Sequence, residues 1–247
     1  MKPVFVKTSN YKRFQEGLVA VEGRGAQESS LLLVTGEAGY GKSQTVDQWA
    51  VQVGASYLRA KTHWTPKVFL TELAGNLKVD PSGKSNDIFA RVSGYIGRNQ
   101  TPIVIDEVDH CLRDNASVLE AVRDLSDLTE VVVVLVGMEK VQAKISKFLQ
   151  ISSRIAHVVT FVPASIEDVI MTCAQKCEVK VANDLAAEIH RQSKGRMREI
   201  MNAIALIERE ASLNGLSEIS LKQIGNRQLT LDWQTSKPRY SNVVGGN

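Results

Sequence analysis

The residues with the clearest chemical meaning lie between positions 36 and 43, where three glycines precede a lysine and a serine. The segment reads Gly36, Glu37, Ala38, Gly39, Tyr40, Gly41, Lys42 and Ser43. It matches the phosphate-loop pattern G-x-x-x-x-G-K-[ST] in full. Glycines at this spacing let backbone N–H groups approach phosphate oxygens, and a following helix adds its positive end. The pattern predicts a nucleotide site in which Lys42 reaches the β- and γ-phosphates, Ser43 binds Mg²⁺ and Gln44 completes the loop.

A strand and a helix must flank such a loop, and the sequence predicts both. Residues 29–35 read as a buried strand around the apolar run 31–34, and residues 43–53 have the pattern of a helix. A second apolar run, 102–105, ends in Asp106 and Glu107. Ligands bind at the carboxyl ends of parallel strands, so we expect Asp106 to hold Mg²⁺. Glu107 is then the base that polarises the attacking water.

Composition limits the possible protein classes. The chain has 247 residues, 43% of them hydrophobic, which is enough for one α/β domain and a small second domain. The longest apolar runs have strand length, no signal-peptide core begins the chain, and three cysteines fit a reducing compartment. We therefore expect a cytoplasmic protein with no membrane segment. The net charge of +3 is too small to indicate nucleic-acid binding by itself.

Strand-like runs alternate with helical ones as far as Pro163. This order predicts an α/β fold with a doubly wound parallel sheet. Beyond Pro163 the periodicity is helical to about Gly225, apart from a short strand-like run at 218–221. We predict a nucleotide domain at 1–163, an all-helical lid at 164–225 and a basic C-terminal tail at 226–247. The tail is equally compatible with phosphate contact and with an ordinary solvated terminus.

A nucleotide domain followed by a small helical lid resembles the AAA+ ATPases over nearly the whole chain. The resemblance implies that Arg198, in the run Gly195–Arg198, is the lid arginine called sensor 2. It implies that Arg154, just before the fifth strand, is an arginine finger that reaches the ATP of a neighbouring subunit. One departure is that the fourth strand ends in Val136, Gly137 and Met138, with no polar sensor 1 residue. The role then passes to a neighbouring group, or hydrolysis is slow and regulated.

Within the AAA+ proteins, the chain resembles the target-selecting ATPases of DNA transposition, the family of Mu-type phage transposition protein B. The segments that carry this resemblance are Phe5–Phe14, Gly39–Lys42, Asp106–Asp109 with Leu112, and Leu135–Met138. Because only about 28 residues precede the first strand here, we expect no N-terminal helix-turn-helix module of the kind that the Mu-type protein carries. The resemblance implies an ATP-dependent protein that binds duplex DNA without sequence preference, forms a homo-oligomeric filament or ring, and presents the DNA to a transposase. A phage-encoded protein would act in the host cytoplasm.

Basic residues around the end of the second strand, together with one just after the Asp106 strand, are our candidates for DNA contact. Cations can bind DNA phosphates without reading the bases. The candidates are Arg59, Lys61, Lys67 and Arg113. Trp64 lies among them, and we expect it to pack under the next helix. Near the start of the sequence, Asn10 and Tyr11 lie where AAA+ proteins begin their first helix beside the adenine, so we expect them in the base pocket.

Three other functions remain compatible with parts of the pattern. A helicase loader or insertion-sequence helper ATPase would share every nucleotide residue and act through a protein partner. A secretion-type AAA+ protein would usually carry a membrane segment. A metabolic kinase would need an acceptor site and several lid arginines, and the Asp106–Glu107 pair disfavours it.

Overall fold

A five-stranded parallel sheet organises the first part of the chain, in a computed structural model that describes residues 1–225 and 227–230. Its strands are β1 (Leu31–Thr35), β2 (Ser56–Arg59), β3 (Ile103–Asp106), β4 (Val133–Val136) and β5 (Ile155–Thr160). Their order is β2-β3-β4-β1-β5, and every neighbouring pair is parallel. The carboxyl ends of all five strands therefore lie at one edge of the sheet. The expected parallel α/β fold is confirmed.

Helices cover both faces of the sheet, which explains why its central strands β1, β3 and β4 are buried at every position. The helices of this part are α1 (Ser9–Glu22), α2 (Lys42–Val53), α3 (Pro66–Asn76), α4 (Ser85–Asn99), α5 (Ser117–Thr129), α6 (Val141–Ile145) and α7 (Leu149–Ser152). Two 3₁₀ helices, Val108–Leu112 and Asp114–Ala116, follow β3. Alternate residues of β1 face opposite sides, so Leu33 packs in the cluster with α3, α4 and α5, while Leu32 packs in the cluster with α1 and α2.

One expected helix differs from the observed structure. The periodicity from 138 to 149 predicts a single helix, but the structure has the five-residue α6 and the four-residue α7 with a break between them. Phe148 lies at this break with φ −106° and ψ 88°, outside the helical region. Val141, Ile145 and Ile151 are all buried, so the apolar spacing that predicted one helix is satisfied by two short ones.

The chain divides into two compact units, Lys7–Val162 and a second unit that joins Met1–Val6 to the chain from Pro163 onward. The second unit contains α8 (Ile166–Lys176), α9 (Asn183–Ser193), α10 (Met197–Leu213) and α11 (Leu221–Ile224). It also has one short parallel pair, β6 (Lys180–Val181) with β7 (Glu218–Ile219). The expected all-helical lid is thus helical except for these two-residue strands. Cys173 and Cys177 are buried in its core as free thiols.

The first residues of the chain depart from the expected domain assignment of 1–163. Met1–Val6 group with the second unit, because the Lys2 backbone N–H donates to the Lys176 carbonyl at 2.8 Å. Such a backbone bond across 174 positions has no local sequence signal. Of the predicted tail, Asn226 and residues 231–247 lie outside the described residues. Within the described ranges, no helix is long and apolar enough to cross a bilayer.

Candidate functional site

The glycine-rich loop connects the end of β1 to the start of α2. Its three glycines all have positive φ, at +146° for Gly36, +90° for Gly39 and +88° for Gly41. A Cβ at Gly36 would lie 2.7 Å from the Phe161 carbonyl oxygen, so any side chain there would collide with backbone. Gly41 is the N-cap of α2 in left-handed conformation. The loop therefore needs glycine for its shape, and it places the N-terminal end of a 12-residue helix against the space that it encloses.

Lys42 is buried within this loop although it carries a charge. Its Nζ donates to the carbonyl oxygens of Gly36 at 2.7 Å and Glu37 at 2.9 Å. Burial lowers the pKa of Lys42, and the negative charges of Asp106, Asp109 and Glu37 oppose that shift. Neutral carbonyl oxygens thus hold Lys42 at the loop by hydrogen bonds, and the nearby carboxylates stabilise its positive charge. Ser43, half-buried in the first turn of α2, and Gln44, exposed beside it, follow directly.

Asp106 ends β3 as a carboxylate that is only 3% exposed. One oxygen, Oδ1, accepts the Glu107 backbone N–H at 2.8 Å, and Oδ2 accepts the Tyr57 hydroxyl at 2.8 Å. Burial, followed by the bond to Asp106, raises the pKa of Tyr57, so the phenol stays protonated and donates. Each carboxylate oxygen keeps a second lone pair. The Asp106 carboxylate and the Ser43 hydroxyl are hard-oxygen groups of the kind that Mg²⁺ binds, and their assignment to the metal stays a prediction.

Glu107 follows with φ +57°, a left-handed conformation that is strained for a residue with a side chain. This conformation directs the chain out of β3, and the Glu107 side chain is half exposed. Its Oε1 lies 3.7 Å from Arg59 Nε, and its Oε2 lies 3.7 Å from His110 Nε2. Glu107 is therefore an accessible carboxylate between two cationic or ionisable groups, one residue beyond the buried Asp106.

Arg59 lies beside these carboxylates because β2 and β3 pair Arg59 with Asp106 in register. Its Nη2 is 3.6 Å from Asp106 Oδ2, in addition to the contact with Glu107. The structure thus places Arg59 in the carboxylate cluster with its side chain 60% exposed, and its DNA contact stays a prediction.

The other predicted DNA cations lie along the chain after β2. Lys61 forms an ion pair with Glu72 at 2.8 Å, and Arg113 donates to the Thr62 carbonyl at 3.1 Å. Lys67 is exposed in the first turn of α3. Trp64 is 5% exposed and packs on Phe69, with 5.6 Å between ring centroids, as expected for a core residue.

Arg154 lies just before β5, and its carbonyl accepts the N–H of Leu31 at the start of β1. The phosphate loop follows the other end of β1. Five residues at about 3.3 Å each put roughly 16 Å between Arg154 and the loop of its own chain. Arg154 binds Asp127 side-on, with Nε 2.9 Å from Oδ1 and Nη2 3.1 Å from Oδ2. This bond to Asp127 raises the pKa of the Arg154 guanidinium.

Arg198 belongs to the second unit, where it is exposed in the first turn of α10. Its assignment as sensor 2 stays a prediction.

The two residues predicted for the base pocket differ in their surroundings. Asn10 is 2% exposed, and its side chain both donates to the Val162 carbonyl at 2.7 Å and accepts the Val162 N–H at 3.1 Å. Its Oδ1 also accepts from Arg13 Nη1 at 3.1 Å, and its place in the base pocket stays a prediction. Tyr11 is half-buried, and Lys7 Nζ lies 5.7 Å from the centroid of its ring.

Three residues of this region were not predicted from the sequence as site residues. Tyr57 binds Asp106, Asp127 binds Arg154, and Asp109 accepts the Met138 backbone N–H at 2.7 Å. Asp109 had a signal, because it closes the run Asp106–Asp109. Tyr57 and Asp127 had none, since each meets its partner only through tertiary pairing across 49 and 27 positions.

Comparison with known proteins agrees with this geometry. Residues 25–145 match the family model described as the AAA domain. This range includes the phosphate loop and the Asp106–Glu107 pair. A search of curated protein sequences gives no match.

Solved structures share the fold at low sequence identity. The Orc1 protein of Aeropyrum pernix in complex with DNA has a TM-score of 0.59 at 16% identity, covering 90% of this chain and 65% of that one. Cdc6p from Pyrobaculum aerophilum has a TM-score of 0.66 at 14% identity, covering 90% and 68%. The Holliday junction branch migration motor RuvB of Thermotoga maritima has a TM-score of 0.60 at 12% identity, covering 88% of this chain and 67% of that one. The chain spans slightly less than two thirds of the Orc1 protein. The fold is that of the P-loop AAA+ NTPases.

Proposed function

We propose that this chain, with its P-loop AAA+ fold, is an ATPase that binds duplex DNA without sequence preference when ATP is bound, and delivers it to a transposase. The observation that carries the ATPase part is the meeting of two groups at one edge of the sheet. The glycine loop with Lys42 follows β1, and Asp106 with Glu107 follows β3. Neither group alone can bind and hydrolyse a nucleoside triphosphate, but together they supply both halves of that chemistry.

The residues have separate tasks in the proposed hydrolysis. The loop backbone and Lys42 bind the β- and γ-phosphates, and Lys42 exchanges its carbonyl acceptors for phosphate oxygens. Glu107 accepts a proton from water as the water oxygen attacks the γ-phosphorus. The bond from that phosphorus to the β–γ bridging oxygen breaks, releasing ADP and phosphate. Ser43 and Asp106 would hold Mg²⁺, which neutralises charge on the phosphates.

Assembly is the second part of the proposal. Arg154 lies at the opposite end of β1 from its own phosphate loop, roughly 16 Å away along the strand. A guanidinium in this position can serve only the nucleotide of a neighbouring copy, so ATP binding and homo-oligomerisation become one linked equilibrium. We assign Arg198 as the lid arginine called sensor 2, as the resemblance to the AAA+ ATPases implies. Hydrolysis then removes the γ-phosphate and dissolves the filament or ring.

The DNA and transposase parts rest on the resemblance to the transposition ATPases in Phe5–Phe14, Gly39–Lys42, Asp106–Asp109 and Leu135–Met138. One observation favours a second candidate function. Three of the four predicted DNA cations have partners within the chain, namely Arg59 with carboxylates, Lys61 with Glu72 and Arg113 with the Thr62 carbonyl. Cations with such partners are less available to DNA phosphates, so a helicase loader or insertion-sequence helper whose main partner is a protein is the second candidate.

The deciding experiment is duplex-DNA binding by fluorescence anisotropy with ATP, with ADP and without nucleotide, each titrated with salt. We expect cooperative binding of unrelated sequences with ATP only, weakening steeply as salt rises because phosphate contacts release counterions. Glu107→Gln should bind DNA with ATP and stay bound, whereas the parent releases DNA as ATP is consumed. Binding that ignores nucleotide, or no binding, would favour the loader function.

A further inference from the structure

The end of β4 carries no polar side chain, and its neighbours explain why. A Cβ on Gly137 would lie 2.8 Å from Val141 Cγ1, 3.0 Å from Val108 Cγ1 and 3.0 Å from Asp109 Oδ2. A side chain at this position would therefore collide with two valines and a carboxylate. The polar group nearest to the strand end comes from Asp109, on the segment after β3.

Asp109 joins the ends of two neighbouring central strands. Its Oδ2 accepts the Met138 N–H at 2.7 Å, and its Oδ1 lies 3.5 Å from Lys144 Nζ. The carboxylate is 20% exposed, and a hydrogen bond of this length to an ionised, partly buried acceptor is among the stronger kinds. The bond fixes the 3₁₀ helix Val108–Leu112, which contains Asp109, to the residue that follows Gly137.

Glu107 precedes this 3₁₀ helix, so the same bond limits where Glu107 can lie. At the near end, the Glu107 N–H is held by Asp106 Oδ1 at 2.8 Å, and its carbonyl accepts the His110 N–H at 3.0 Å. Its left-handed backbone persists only if the surrounding contacts hold it. The negative charge of Asp109 also acts on Lys42, which places this carboxylate within electrostatic range of the phosphate loop.

We propose that Asp109 is the positioning residue for Glu107, and that it aligns the water-activating carboxylate from the segment beside the end of β4. The proposal rests on the proposed ATPase function. Asp109 acts through the backbone: its bond to Met138 sets the turn, and the turn sets the Glu107 carboxylate. The absence of a polar residue at 137 then reflects the space that Asp109, Val108 and Val141 occupy, and does not imply slow hydrolysis.

Steady-state kinetics of two Asp109 variants test this assignment. Asp109→Ala should lower kcat for ATP by about 10- to 100-fold, because misplacing a reacting group by about 1 Å has effects of that order. KM for ATP should change less than about twofold, since the phosphate loop is intact. Asp109→Asn should recover most of kcat, because its amide oxygen still accepts the Met138 N–H. Glu139→Ala removes an exposed carboxylate beside Met138 and is the matched control.

Amide hydrogen exchange of Met138 and of residues 107–112 provides a second test that needs no turnover. Asp109→Ala should speed exchange at these amides by tenfold or more, and Asp109→Asn should restore slow exchange. If the parent is active and Asp109→Ala leaves either amide exchange or kcat unchanged, the positioning role of Asp109 is wrong, while the proposed ATPase function still holds. A parent protein that hydrolyses no ATP overturns the proposed function, and the role of Asp109 in it, while exchange still reports whether the bond holds the turn. A loss of kcat that Asn fails to rescue would also contradict action through the Met138 bond.

Discussion

The ion pair between Arg154 and Asp127 predicts how readily copies of this chain assemble. The guanidinium can bind a phosphate of a neighbouring copy only after it leaves Asp127, which it contacts at 2.9 and 3.1 Å. Asp127→Asn keeps the shape of the side chain and removes its charge. This variant should therefore assemble more readily than the parent, although it loses an ion pair.

The size of this effect follows from the exposure of the pair. Both side chains are 30% exposed, so solvent and salt screen the attraction and its net value is about 0.5–1 kcal/mol. At 1.4 kcal/mol for each factor of ten, the loss of this competition lowers the protein concentration at half-assembly by about two- to fivefold. The effect should shrink at high salt because the competing charges are partly exposed.

Sedimentation velocity with a non-hydrolysable ATP analogue measures this concentration without turnover. Glu120→Gln is the matched control, because Glu120 lies on the same helix, α5, and pairs with Arg123 instead. Its half-assembly concentration should equal that of the parent. If Asp127→Asn assembled no better than the control, Asp127 would not compete with the phosphate. If it assembled worse, Asp127 would be orienting Arg154 for its neighbour, which contradicts the reasoning above.

Three further substitutions test the site itself. Lys42→Ala should abolish binding of a fluorescent ATP analogue, and with it assembly, because it removes the cation of the phosphate loop; retained binding would contradict that role. Arg59→Ala should lower kcat several-fold by freeing Glu107, yet change DNA affinity less than about twofold in the anisotropy assay; the reverse pattern would return Arg59 to the DNA contacts. Gly36→Ala forces a Cβ to within 2.7 Å of the Phe161 carbonyl, so chemical denaturation should show a loss of about 1–3 kcal/mol together with weaker nucleotide binding.

The parts of the site that the sequence could predict are those whose signal is local. The glycine loop is contiguous, and each of the strands β1 and β3 has an apolar run before its last residue. The loop with Lys42, and Asp106, could therefore be placed at the ends of strands without knowing the fold. Parallel pairing then brings those ends to one edge. No long-range information is required for this step.

The contact partners of individual side chains could not be predicted, because they depend on which distant groups the fold brings together. Arg59 has the composition of a phosphate contact, but the β2–β3 register sets it against Asp106. Asn10 donates to and accepts from the backbone of Val162, 152 positions away, and also accepts from Arg13. A buried amide with an unpaired donor or acceptor is costly, and the Val162 partner that satisfies this amide has no local sequence signal.

The partners of the two key cations suggest an order for the proposed cycle. Lys42 is held by two neutral carbonyl oxygens, and a charged phosphate oxygen is the stronger acceptor. Arg154 is held by a full carboxylate in side-on geometry, so a phosphate gains much less by displacing it. Nucleotide binding by a single copy should therefore reach completion at ATP concentrations where assembly has barely begun. One midpoint is the ATP concentration at half-saturation of a single copy, and the other is the ATP concentration at half-assembly. The difference between them, and its decrease in Asp127→Asn, measures how strongly the Arg154–Asp127 pair opposes oligomerisation.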